Sequence, residues 1–429
     1  MIFHHRPGAA IFPATITRLW GLVCAQPHNP PQTNPVFRYQ RKGKAAPSAG
    51  LQLAVAFSII WGLWPTMLRA ENQTPKTGEY TITGAPISNR FMNIVLTRLM
   101  AVPATYGGWP NNGYNGHDPE NNHIPSHFVV YVPPAYRPDG TWGLMVYVFP
   151  SDQSGVPGGW RTICQRHHLL LIVPQNAGNG HWIPWREALT LKAALEMHRR
   201  YKLNLHRIYT GGSSGGGRNA SKAPILFPDV FTGAICNCGA DFVDKMGNVD
   251  CFNAQPQMLS TARSRCRFFL YTGTRDGNEQ QTLAVSKWMK QLGFRYVTFF
   301  DQKGAGHAQM SNKNFEKGIV TLDAPLVTKV PSEVTRANRL VKEKRLGRAM
   351  WLLNKAALIA PGTPACDAAQ GAFDKLLVAY KKALSQTRAI IAARNQAKSN
   401  MAISTFALEY SPWAVDDVRK LRQEASQAK

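Results

Sequence analysis

The segment RIYTGGSSGGGR, residues 207–218, sets two serines among glycines where an apolar strand pattern gives way to a helical one. In the frame Gly212-x-Ser214-x-Gly216 the serine occupies a sharp strand-to-helix turn that lifts its hydroxyl above a sheet edge, and the flanking glycines leave room where side chains would collide. The helix beginning there offers unpaired backbone N–H groups, that of Gly215 first, and the positive end of a helix dipole where an oxyanion would form. An overlapping frame puts Ser213 between Gly211 and Gly215. A strand ending at Thr210 would leave Gly211-Gly212-Ser213 as the approach to the turn, which favours Ser214. A serine hydroxyl needs a base, and the base needs a carboxylate to orient it. His307, in GAGH, is the only histidine after Ser214. Asp276, in YTGTRDGNE, follows the strand pattern before it, while its rival Asp301 closes the strand YVTFFD. The reading is nucleophilic acyl transfer: Ser214 attacks, His307 moves the proton, and Asp276 holds the imidazole. Such chemistry requires no metal or cofactor.

The elements that must position these residues are legible as alternation. Strands are predicted at 127–132, 144–149, 169–173, 207–210, 231–235, 267–272 and 296–300, with helices at 186–201, 215–226, 280–292 and 309–318 between them, the pattern of a doubly wound, mostly parallel α/β sheet. Residues 107–123, GGWPNNGYNGHDPENNH, read as a long surface loop. His117, Asp118 and Glu120 within it are metal-ligand types, but Asn-rich loops are ordinarily just solvated. Trp160, Trp182 and Trp185 flank loops over the sheet's C-terminal edge, where they would form an aromatic wall or simply core. Arg186 and Arg218 would suit an acidic substrate. After Pro331 the apolar spacing becomes helical throughout, predicting three helices at 334–359, 367–398 and 412–427, the last with Ser411-Pro412 as N-cap and first residue. The domains are therefore a leader at 1–70, an α/β domain at 71–330 and a helical module at 331–429.

The chain has 429 residues with a net charge of +25, and an apolar fraction of 44% that excludes a wholly disordered chain. The charge is spread, with no long basic run and no nucleic-acid-binding motif, so no nucleic-acid partner is expected. RYQRKGK at 38–44, the apolar stretch 51–64 and Leu68-Arg69-Ala70 follow the order of a secretory signal. Export with cleavage near Ala70 is expected, to a periplasmic or extracellular site; an uncleaved membrane anchor is the second choice. In an oxidising compartment Cys236, Cys238, Cys251 and Cys266 would form a bridge or stay buried as thiols. Their spacing fits no zinc site.

YVPPAYRPDGTWGLMVYVFP, RIYTGGSSGGGR, YTGTRDGNEQQT and GAGH together resemble the polyhydroxybutyrate depolymerase and feruloyl esterase-like branch of the α/β-hydrolases, over about residues 126–320. The resemblance implies an α/β-hydrolase fold, an ester substrate, small or polymeric, and Ser214, Asp276 and His307 as the catalytic set. One departure stands out. Where such hydrolases carry His-Gly after the second strand, this chain has Phe149-Pro150-Ser151-Asp152. Proline has no N–H, so the second oxyanion donor, beside Gly215, would come from Ser151 or Asp152. The expectation is an exported serine hydrolase cleaving carboxylic esters, with amide cleavage open on the same residues. The alternative is a catalytically impaired hydrolase fold whose helical module recruits a partner.

Overall fold

The structure is a computed structural model that describes residues 75–99, 125–245, 248 and 250–428. The leader at 1–70 and the loop with His117, Asp118 and Glu120 lie outside the described residues. Chain from Gly78 to Gly84 (β1) pairs antiparallel with Ser126–Val132 (β2), after a helix Asn89–Arg98 (α1). β2 runs antiparallel to Leu169–Pro174 (β4). From β4 onward Gly143–Val148 (β3), Ile208–Ser213 (β5), Gly233–Asn237 (β6), Arg267–Gly273 (β9) and Tyr296–Gln302 (β10) all run parallel to their neighbours. The order is β1-β2-β4-β3-β5-β6-β9-β10, with Phe242–Val243 (β7) and Cys251–Phe252 (β8) paired apart. This is an α/β-hydrolase arrangement.

Alternation along β5 shows how the faces are filled. Tyr209 points toward the helix Asn312–Asp323 (α7) and donates its hydroxyl to Asp323 (2.6 Å). Its neighbour Thr210 points the other way, donating to Ala220 O (2.9 Å) in the helix Gly215–Leu226 (α4). Under the first face, Tyr147, Phe269, Phe315 and Ile319 pack with Trp160 from the helix Trp160–Arg166 (α2). The second face carries α4 and the helix Ile183–Arg200 (α3). Pro256–Arg265 (α5) and Glu279–Gln291 (α6) complete the crossovers.

β5 runs three residues beyond the expected end at Thr210. The glycines stay in the strand because Gly211 and Gly212 pair with Tyr147 and Val148 on one side and with Ile235 and Cys236 on the other. α7 begins at Asn312 rather than near residue 309, where Ser311 caps it by accepting from Asn314 N (3.3 Å). β1, α1, α2 and α5 were not anticipated.

The helical region holds five helices among the described residues, Val330–Lys342 (α8), Leu346–Ala357 (α9), Pro364–Ala392 (α10), Gln396–Tyr410 (α11) and Val415–Gln427 (α12). The first expected helix is split where Lys344 (φ 56°) turns left-handed and ends α8; the second stops at Ala392, before the left-handed Arg394 (φ 55°), and α11 lies almost wholly where no helix was expected. The last starts at Val415, since 411–414 form a turn. These helices bury their own apolar set, including Leu353, Phe373, Tyr380, Phe406 and Leu421. A Cβ at Gly362 would collide with the ring of His167, so the turn before α10 lies against the chain entering β4. Nearby, Arg207 donates to both carboxylate oxygens of Asp323 (2.9 and 2.7 Å), with both side chains fully buried.

Cys164, Cys236, Cys238, Cys251, Cys266 and Cys366 are all free thiols. Among the described residues no helix is long and apolar enough to cross a membrane.

Candidate active site

β5 ends and α4 begins at Ser214, whose φ of 54° and ψ of −122° lie where a side chain is strained. A Cβ at Gly212 would collide with the carbonyl of Gly216, and one at Gly216 with the carbonyl of Val148, so the turn closes only with glycine on both sides. Ser214 N donates to Asn237 O (2.8 Å) at the end of β6, which fixes the turn against the sheet. The hydroxyl of Ser214 lies 2.9 Å from His307 Nε2. On the other side of the ring, Nδ1 lies 2.8 Å from Asp276 Oδ1.

Asp276 sits in the turn after β9, and its side chain is shut off from solvent while that of His307 is 45% exposed. Its Oδ1 also accepts from Asn278 N (2.9 Å) and its Oδ2 from Thr272 Oγ1 (2.9 Å). Burial alone would raise its pKa, but hydrogen bonds from Cys238, Asn278, His307 and Thr272 outweigh that and hold the carboxyl below its ordinary value. The acid turn and the histidine loop are fastened to each other: Thr274 N donates to Gln302 O (3.1 Å) and Arg275 N to Ala305 O (2.9 Å). Asp301 is elsewhere, paired with Thr272 in the edge strand β10.

Ser213, the neighbour, has the opposite orientation. Its hydroxyl accepts from Asn237 Nδ2 (2.7 Å), lies 3.0 Å from Tyr147 OH and donates to Gln309. Asn237 Nδ2 also reaches Ala308 O (3.1 Å). This buried polar cluster ties β3, β5 and β6 to the residues just after His307, and nothing in the local sequence announced it.

Cys238, Asp276 and His307 bring possible ligand atoms within 4.8 Å of one another, the arrangement among the described residues that could hold a metal ion. Burial, then the carboxylate of Asp276, pushes the Cys238 thiol up to about 12. At neutral pH it therefore acts as an S–H donor, and its proton can go to Asp276, Asn237 Oδ1 (3.3 Å) or Ala308 O (3.4 Å).

Gly215 opens α4, so its N–H is unclaimed by the helix. Ser151 and Asp152 are exposed. Ser151 Oγ lies 2.7 Å from Ser154 Oγ, whereas Asp152 faces the loop after β4, accepting from Gly178 N (3.0 Å) and pairing with His181 Nε2 (2.9 Å). Trp160 is core, stacked on Phe315 with ring centroids 3.7 Å apart. Trp182 and Trp185 are half-buried, and Trp185 donates to Asn176 O (3.1 Å). The two arginines do not await an acidic substrate. Arg186 is buried and donates to Ala177 O (2.8 Å), and Arg218 is already paired with Asp241 (2.9 Å) and Asp250 (2.6 Å).

No protein-family model matches the chain. No curated protein matches it either. Among solved structures it is similar to a thermostable esterase, at 17% identity and a TM-score of 0.33 over 44% of this chain and 53% of that one. An S-formylglutathione hydrolase from Staphylococcus aureus is 14% identical, with a TM-score of 0.35 over 46% of this chain and 91% of its own. A ferulic acid esterase is 12% identical, with a TM-score of 0.37 over 57% and 96%. The chain thus spans about half the length of the first of these.

Proposed function

We propose that the chain is a serine hydrolase that cleaves carboxylic esters through an acyl-enzyme. The observation that carries this is the continuous hydrogen-bonded chain from Ser214 through His307 to Asp276, built on a strained strand-to-helix turn. Ser214 Oγ attacks the acyl carbon while its proton passes to His307 Nε2, and the carbonyl electron pair moves onto oxygen. The Gly215 N–H donates to that oxyanion. The pair then returns, the bond to the alcohol oxygen breaks, and His307 gives its proton to the departing alcohol. Water repeats the sequence on the acyl-enzyme and releases the acid. These steps require no metal or cofactor. Asp276, held as a carboxylate by its donors, keeps the imidazole in the tautomer whose Nε2 can accept.

The test is turnover of a p-nitrophenyl ester together with fluorophosphonate labelling mapped by mass spectrometry. Turnover that Ser214→Ala abolishes, with the adduct on Ser214, is expected. A folded protein that neither hydrolyses nor labels would favour the partner-binding reading, for which the proline at position 150 speaks. Export fits this role, and N-terminal sequencing of secreted protein should find a start near Glu71; an intact chain recovered in membranes would point to an anchor. A boundary between the α/β domain and the helical module near residue 330 is supported by the second apolar cluster, whose first buried residue is Val330.

A further inference from the structure

The weak point of the site is its second oxyanion donor, and the loop after β4 offers one that the sequence did not reveal. Resting on the serine hydrolase reading, we propose that the side-chain amide of Asn179 donates a hydrogen bond to the oxyanion formed on Ser214. Asn179 is exposed, yet its carboxamide lies directly against Gly215: a Cβ built there would overlap Oδ1 and come within 2.7 Å of Cγ and 3.1 Å of Nδ2. Gly215 is the residue whose N–H would form the first half of the oxyanion pocket, so the carboxamide packs against the residue that follows Ser214. Half a turn about the Cβ–Cγ bond exchanges the oxygen and nitrogen of the amide.

An exposed asparagine serves as a donor only if it is held in place, and this one is. Asn179 N donates to Pro150 O (2.8 Å), so the proline that lacks an N–H to offer an oxyanion instead anchors the loop carrying the substitute. Asp152 fixes the same loop from its side, through Gly178 N (3.0 Å) and His181 Nε2 (2.9 Å). Arg186 Nε grips the carbonyl of Ala177 (2.8 Å) from α3. The segment that departs from the usual His-Gly thus works through the loop it braces, and Asp152 becomes a positioning residue for Asn179.

The competing account is that Asn179 serves the loop's backbone turn and nothing more. Asn179→Asp separates the two, since aspartate keeps the shape and the turn preference of asparagine but has no N–H. In the full-length protein, Asn179→Ala and Asn179→Asp should each lower kcat about 10²-fold or more with KM changed less than about threefold. Fluorophosphonate labelling of Ser214 should slow in parallel, with the melting temperature unchanged. Either variant retaining kcat within about threefold of the parent, or a loss confined to KM, would overturn the assignment. A parent protein that hydrolyses esters while both variants match it rejects Asn179 alone; a parent that neither hydrolyses nor labels rejects the hydrolase reading beneath it.

Discussion

Two adjacent serines meet opposite fates, and the difference lies in what reaches them from a distance. Ser214 turns outward to His307, while Ser213 is claimed by Asn237, Tyr147 and Gln309. Ser213→Ala should therefore leave the fluorophosphonate adduct on Ser214 and cost about 1–3 kcal/mol in a denaturant melt, because it removes a partner from a buried polar cluster. Asp276→Asn should keep the fold while lowering kcat by up to ~10⁴, since the amide favours the wrong imidazole tautomer. Asp301→Asn should cost far less, and steady-state kinetics of the pair would reveal the reverse ranking at once. The positions of Ser214, Asp276 and His307 were legible in the sequence because each follows a strand and the chain order constrains where loops can meet. Asn179 and the Ser213 cluster were not, because their meaning comes from contacts between β3, β5, β6 and two loops that no local pattern encodes.

At the scale of elements, the parallel strands were readable because burial on both faces leaves nearly continuous apolar runs such as LLLIVP and RFFLYTG. β1 was missed for the converse reason: GEYTITG lies at the sheet's edge and buries only Ile82 and Gly84. The helix stops in the helical region were silent because Lys344 and Arg394 occupy left-handed positions where glycine would have signalled the stop. One interface between elements carries a titratable surprise. Glu187 of α3 is fully buried against α4, both carboxyl oxygens lack hydrogen-bond partners, and burial raises its pKa to about 8 despite Lys222 and Arg186 nearby, with Asp241 adding to the rise. The folded protein then holds a proton that the unfolded chain releases, so stability falls as pH rises from the ordinary glutamate range through about 8. Glu187→Gln cannot ionise and should gain up to about 2 kcal/mol on the parent between pH 6 and pH 9. Urea melts at the two pH values measure it; parallel pH dependences would show that Glu187 is not the group responsible.

For the whole molecule, the helical region and the candidate site belong to opposite ends of the strands. Arg207, His167 and the Gly362 turn lie where β5 and β4 begin, while Ser214 lies where β5 ends, about 20 Å along the strand. A chain ending at residue 329 should thus retain ester turnover near the full-length rate but melt at a lower temperature, because it uncovers the Arg207–Asp323 pair and the His167 ring. Loss of activity in a soluble, folded truncation would mean the helices reach the site by another route. The free thiols offer a way to watch the two parts come apart. Cys366 is buried in the helical core, and Cys164 and Cys238 in the core beneath the sheet. Each is therefore a built-in clock for its own core, stopped while that core is closed. Timed pulses of an alkylating reagent in rising urea, read peptide by peptide, would give the order in which the clocks start; a lead for Cys366 would mean that the helices can detach while the half carrying the candidate site is still intact.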